Sequence, residues 1–427
     1  MTKKKIIIAG VHTEIIKTLK MGKYELIDAD SVINTINDFD TGNIQLRNIS
    51  EQFDFGKIGM DQYWRMKGEF DHYTNRRVIK YAHGEQDLLF RTILHRVAKL
   101  CQSADGIILS NLPHQGVDSV LSNYAKIIKI PVYYFTPSIF KNYSYLLSEE
   151  RNFSNLIPVK YKQDNKIYLD FDNTSKQQLY YMKPEYFTQK NKVVKKLRTF
   201  IKLFKLGKII PFRIMCEKIW EYYLHSGYRS INWKENLDFD QNKLNIYIPL
   251  HLQPELTTSN MGELFYDQNY AIAKVILQCE SINIDYQIYI KENPKQSGTH
   301  REFLDQFKNN RNVHFVSVKY PSDLLIDYCD VVCTVSGTAG WEAIKSGKPC
   351  LIFGRTWYET APGVERDVKS LSLEIKKKSV DKDLVNEWFL QHQLCLHLFQ
   401  NDTTVPEMWS LIGESQRTLK SVTKMIF

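Results

Sequence analysis

Apolar and polar positions follow strand and helix periods at both ends of this chain and lose them in between. Residues 5–11, KIIIAGV, form a continuous β-branched run, the pattern of a strand buried on both faces. YELIDAD at 24–30 gives a second strand. Residues 86–103 repeat apolar positions at helical spacing, and DGIILSN (105–111), VDSVLSNYAKIIK (117–129) and IPVYYF (130–135) then read strand, helix, strand. From about 150 to 240 the alternation gives way to frequent aromatics, which predicts a largely helical insertion. Alternation resumes with KLNIYIPL at 243–250. It continues as helix 265–281, strand DYQIYIKEN, helix HREFLDQFKNN, strand VHFVSV, helix PSDLLIDYC, strand DVVCTV, helix AGWEAIKS and strand CLIFG. Residues 381–423 read as closing helices. Such βα repetition predicts an α/β fold with two doubly wound, Rossmann-like domains. The predicted boundaries are 1–150, an insertion 151–242, a second domain 243–380, and helices packing back over 381–427. Ligands of such sheets bind beyond the carboxyl ends of the strands, so two domains facing a cleft should carry their chemistry in strand-end loops.

Size and composition agree with this division. A chain of 427 residues with 43% hydrophobic and 25% charged residues is globular and too long for one core. Its apolar runs are far shorter than the roughly 20 residues that cross a bilayer. The start MTKKKIII stops being apolar at His12 and Glu14 with no cleavage site, so a cytoplasmic protein is expected. Seven cysteines, none in a CxxC pair, predict buried reduced thiols and no metal site.

Charge changes the picture at one place. The net charge is +9, and residues 190–213 alone carry nine Lys and Arg and no acid. Apolar positions 193, 197, 200, 201 and 204 make one helical stripe there, which suits an anionic membrane surface or a helix packed on its own protein. With the rest of the chain neutral, nucleic acid is not an expected partner.

Six strand-end loops hold candidate chemistry. SGTAG at 336–340 has the glycines and hydroxyls of a phosphate cradle at a helix start, yet also those of a tight strand-to-helix turn; it is neither a Walker A loop nor GxGxxG. Ser336 and Thr338 add hydroxyls, and Glu342, placed in the first helical turn, can accept from sugar hydroxyls. PLHLQPELTTSN (249–260) brings His251, Gln253 and Glu255. IKENPKQSG (290–298) brings Lys291 beside Asn293 and Pro294. SNLPHQGVDSV (110–120) offers His114 and Asp118, and the loop after the first strand offers Glu14; an imidazole or carboxylate here can act as base or nucleophile. Arg355, Trp357 and Tyr358, in FGRTWYETAPGV, suit sugar or acceptor contact, or interdomain packing.

The second domain resembles the capsule polysaccharide biosynthesis family, which includes bacterial retaining β-Kdo transferases. QPELTTS (253–259), KENPKQ (291–296), SGTAGWEAIKSGKPCLIFG (336–354) and WYETAPGV (357–364) carry the resemblance by order and spacing. It implies a metal-independent GT-B glycosyltransferase with no cofactor. The nucleotide sugar would be held by the C-terminal domain and the glycan or lipid-linked acceptor by the N-terminal one. SGTAG, with Ser336, Gly337 and Thr338, and Lys291 would then face the donor phosphate, and Glu342 the ribose. Gln253, Glu255, Asn293 and Pro294 complete the donor set, with Asp118, His114 and Glu14 the catalytic candidates. Members using CMP-Kdo usually have His-Pro where this chain has Asn293-Pro294, and Asn cannot be cationic. The expected function is transfer of a sugar, with a CMP-linked 2-keto sugar the leading donor, at the inner face of the cell membrane. The alternatives are a nucleotide-sugar epimerase of like architecture and a non-catalytic capsule-assembly scaffold.

Overall fold

The computed structural model describes residues 3–9, 24–29, 32, 58–74, 83–113, 116–140, 143–159, 231–252, 256–293, 304–398 and 420–424. The chain forms two compact units, the first of Met1–Ile167 with His392–Phe427 and the second of Tyr168–Gln391.

In unit 1, strands β1 (Lys4–Ala9), β2 (Tyr24–Asp28), β3 (Gly106–Leu109) and β4 (Val132–Pro137) run parallel in the order 2-1-3-4. Ile6, Ile8, Ile108, Phe135 and Leu146 form a core on one side. Among the described residues three helices accompany the sheet: α1 (Met60–Thr74), α2 (His83–Cys101) and α3 (Gly116–Ile127). Beyond β4 the sheet turns antiparallel, first with β5 (Tyr143–Leu147) and then with a late strand, Leu396–Leu398. The helical reading of 381–423 is corrected here. Among its described residues the segment is α-helical to His392 and again from 420, while Leu396–Leu398 is a strand: Leu396 and Leu398 flank His397 with strand alternation and cover the open edge of β5.

Unit 2 holds β6 (Leu244–Pro249), β7 (Tyr286–Lys291), β8 (Val313–Val316), β9 (Val331–Thr334), β10 (Cys350–Ile352) and β11 (Val364–Glu365). All are parallel, in the order β11-β10-β9-β6-β7-β8. Counted from β6 this is the order 3-2-1-4-5-6 of a doubly wound dinucleotide fold, with its topological switch between β6 and β9. The helices are α4 (Leu256–Ser259), α5 (Gln268–Ser281), α6 (Ser322–Tyr328), α7 (Thr338–Lys345) and α8 (Lys382–His392). The α/β class with two Rossmann-like domains is thus what the chain adopts, the make-up of a GT-B-like protein.

Sequence sets the length of α7. Gly340, Trp341, Ala343 and Ile344 are buried, so one face of the helix lies on the sheet. Gly347 ends it at φ +86°, a backbone open mainly to glycine. Its N–H bonds Ile344 O at 3.1 Å and the Lys348 N–H bonds Ala343 O at 2.9 Å, the paired bonds of a Schellman motif. Cys101, Cys279, Cys329, Cys333 and Cys350 are buried free thiols, and burial pushes each of them above the ordinary thiol range. Of the predicted insertion 151–242, residues 160–230, including the basic stretch 190–213, lie outside the described residues. No helix among the described residues is long and apolar enough to cross a membrane.

Candidate functional site

The switch point of unit 2 is bridged by side chains from both strands that define it. His251, two residues past β6, hydrogen-bonds through Nε2 to Thr334 Oγ1, the last residue of β9, at 2.8 Å. Thr334 Oγ1 also accepts the Gly337 N–H at 3.2 Å. Gly337 is the N-cap of α7, and its carbonyl accepts from the Tyr358 hydroxyl. Two glycines of SGTAG are required by this packing. A Cβ on Gly337 would overlap the His251 ring, and one on Gly340 would overlap the Tyr358 hydroxyl and the Cys350 sulfur.

The hydroxyls and amides of the loop divide into used and unused groups. Ser336 Oγ donates to Thr257 O at 2.7 Å, so this hydroxyl ties α4 to the turn. The Gly340 N–H is turned inward onto Gly337 O at 3.2 Å. The Thr338 hydroxyl and the N–H groups of Thr338 and Ala339 have no acceptor among the described residues. They form the open, electropositive end of α7.

Lys291 ends β7 in register with Pro249 of β6, level with Thr334 on the other side of the switch. Its backbone therefore lies two strand spacings, roughly 10 Å, from β9. The residue is 4% exposed. Its ammonium donates to Ser322 Oγ at 2.7 Å, where the Tyr247 hydroxyl also reaches at 3.4 Å. No carboxylate of the described residues pairs with it directly. Burial lowers its pKa to about 8, against the opposing pull of Asp323 and Glu342. Glu342 is the fifth residue of α7, in its second turn and not the first. Burial pushes its carboxyl up to about 7; Lys345 and Lys291 oppose the rise and Asp323 adds to it. A buried ammonium and a proton-holding carboxyl under the same strand ends mark a functional site more often than a stabilising pair.

The aromatic loop is built into the fold. Trp357 is buried against Trp341, with ring centroids 4.7 Å apart, and Tyr358 is fully buried. Packing within unit 2 and the bond to Gly337 hold both rings. Arg355 bonds Glu263 at 3.0 Å and lies 3.7 Å from Glu359, which Arg366 also meets at 3.2 Å. Arg355 thus fastens its loop to the 261–263 turn, whose Met261 carbonyl accepts the Arg355 N–H at 2.7 Å.

Asp118 sits in the first turn of α3, after β3 in unit 1, where a carboxylate faces the positive helix end. Glu14, His114, Gln253, Glu255 and Pro294 lie outside the described residues, while Asn293 directly follows the buried Glu292. Sequence reading missed Tyr247, Ser322 and Asp323, which surround Lys291 from a strand and a helix remote in sequence. Among the described residues no group of three metal-ligating side chains converges.

Comparisons with known proteins give the following likenesses. The chain resembles, among solved structures, the β-Kdo 2,4 transferase of Thermosulfurimonas dismutans KpsC at 12% identity, over 74% of this chain and 88% of that one, with a TM-score of 0.36. For the β-Kdo 2,7 transferase of the same protein the values are 12%, 70%, 86% and 0.32. For the Methanocaldococcus jannaschii UDP-GlcNAc 2-epimerase in complex with UDP-GlcNAc and UDP they are 13%, 99%, 100% and 0.26. These likenesses are too weak to carry a site or a substrate across. No curated protein gives a significant match. The sequence profile described as capsule polysaccharide biosynthesis protein matches residues 216–398, which span all of β6 to β11. By that match, residues 216–398 of this chain are similar to the capsule polysaccharide biosynthesis family.

Proposed function

We propose that the chain is a glycosyltransferase of surface polysaccharide biosynthesis, of the GT-B class, with the donor nucleotide sugar in unit 2. The observation that carries this reading is the end of α7. Two N–H groups and the Thr338 hydroxyl stand unused at the switch point, with the nearly buried Lys291 ammonium in the same layer. Negative charge grows on the donor phosphate as the glycosidic bond breaks. Fixed N–H dipoles and a desolvated cation stabilise that charge without a metal ion. The donor proposed first is a CMP-linked 2-keto sugar, and the acceptor a glycan or lipid-linked glycan held by unit 1. Asp118 is the proposed nucleophile or base there, with His114 and Glu14 as the other candidates. The basic stretch 190–213 is proposed to hold the protein on an anionic membrane surface at its cytoplasmic face.

Incubation with CMP-, UDP-, GDP- and CDP-sugars tests the reading. One donor should release nucleotide in the presence of a chelator, and faster with a glycan acceptor than without. Epimerised sugar nucleotide in place of transfer would favour the epimerase alternative, and neither binding nor turnover of any donor would leave only the scaffold. For the membrane, salt-sensitive sedimentation with anionic liposomes should be lost when residues 190–213 are removed; unchanged sedimentation refutes that role.

A further inference from the structure

Asn293 cannot place a positive charge on a donor phosphate, and Lys291 lies two strands away from α7. A third group stands closer. His251 is 8% exposed, and its backbone is held on both sides by one side chain. Its N–H donates to Gln268 Oε1 at 2.7 Å and its carbonyl accepts from Gln268 Nε2 at 3.2 Å. The ring is held as firmly, through Nε2 and Thr334 Oγ1. Its Cε1–Nδ1 edge lies on Gly337, where a Cβ would overlap Cε1 and come within 3.1 Å of Nδ1. Gly337 immediately precedes the unused N–H groups of Thr338 and Ala339. An apolar side chain would fill the space over a glycine without needing the hydroxyl of Thr334 to orient it. Here an imidazole is oriented, buried and laid against the electropositive end of a helix, where an anion is favoured.

We propose that His251 is a ligand of the donor phosphate, presented from β6 to the same anion that α7 receives from β9. The proposal rests on the donor-site reading above and adds one residue to it. It explains why the cap of α7 is a glycine: the ring takes the volume that a Cβ would need. It also gives a chain with Asn at 293 an imidazole at the phosphate from another strand.

The test separates phosphate contact from structural support. Binding of CMP, UDP and GDP to the full chain is measured by calorimetry beside that of cytidine, uridine and guanosine. In His251→Gln, which keeps an amide able to bond Thr334, the favoured nucleotide should weaken about tenfold, as for one lost charge-assisted hydrogen bond. Its nucleoside should change less than about twofold, since it offers no phosphate to contact. Melting curves establish that the variant is folded. A second measurement needs no variant fold. In protein labelled with 15N-histidine, the nucleotide but not the nucleoside should shift the imidazole resonances that the variant lacks. Equal weakening of nucleotide and nucleoside, unchanged nucleotide affinity in a folded variant, or unmoved imidazole resonances would overturn the proposal. If no nucleotide binds the unaltered chain, the donor-site reading itself falls and this inference falls with it.

Discussion

Replacing Lys291 with methionine should make the protein more stable and a worse enzyme. Methionine has nearly the same length and no charge, so it fills the lysine's space beside Ser322 and Tyr247. The ammonium titrates near 8 in the fold against 10.5 for an ordinary lysine, a difference that costs the folded state about 3 kcal/mol at neutral pH. Losing the bond to Ser322 takes back about 1 kcal/mol, leaving a net gain of about 2 kcal/mol. The sign of the pH dependence follows. Below pH 8 both the folded and the unfolded chain carry the proton and the penalty is complete. As pH rises from 8 toward 10.5 the folded protein sheds the proton first, so the penalty fades. Urea unfolding of the full chain can be followed by tryptophan fluorescence, since Trp341, Trp357 and Trp388 pack together in unit 2. The variant should lead by about 2 kcal/mol at pH 7 and by little at pH 9.5. Affinity for the donor nucleotide should fall about tenfold or more, as for a lost charge-assisted bond. A variant less stable than the parent by about 1 kcal/mol at pH 7, with donor affinity intact, would show that Lys291 serves the fold and would refute the reasoning.

Three further outcomes follow from the same geometry. Gly340→Ala forces a methyl group onto the Tyr358 hydroxyl and Cys350, and should cost about 2–3 kcal/mol in urea unfolding; a neutral result would mean the turn relaxes freely. Glu342→Gln should gain stability over the parent as pH rises from 4.5 to 7, because the folded carboxyl keeps its proton while the unfolded one loses it; a constant difference across that range contradicts a raised pKa. Asp118→Asn should lower transfer at least about a hundredfold while stability shifts by only about 0.5 kcal/mol, the worth of a charge at a helix start. Activity within tenfold of the parent would leave Asp118 as a cap.

Most strands were legible because continuous β-branched runs such as Ile6–Ile8 and Val331–Val332, alternating with helical stretches, are the pattern of parallel strands buried on both faces. The strand Leu396–Leu398 was not, since three residues carry too little period and their pairing with β5 depends on a partner some 250 residues away. Helix α1 was missed because its buried Met66 and Phe70 are interleaved with charged residues such as Arg65, Lys67 and Glu69, which dilute the apolar stripe. At the site, the loops could be read from composition, but the roles within them could not. Ser336 bonds Thr257, Tyr358 donates to Gly337 O, and Glu342 falls in the second turn of α7, none of which the loop compositions show. Each depends on which strands are neighbours, and strand order does not show in local sequence. Once β6 is known to lie between β9 and β7, Thr334 and Lys291 fall level with Pro249 at the end of β6, and His251 lies two residues beyond it.

The central claim concerns where a nucleotide sits. A crystal structure of the full chain soaked with the nucleotide that binds most tightly among CMP, UDP, GDP and CDP tests it directly. A phosphate oxygen should lie within hydrogen-bond distance of the Thr338 and Ala339 N–H groups, beyond the carboxyl ends of β6 and β9, with the His251 ring against it. A nucleotide bound elsewhere, with the N-terminus of α7 left to solvent, would contradict the account.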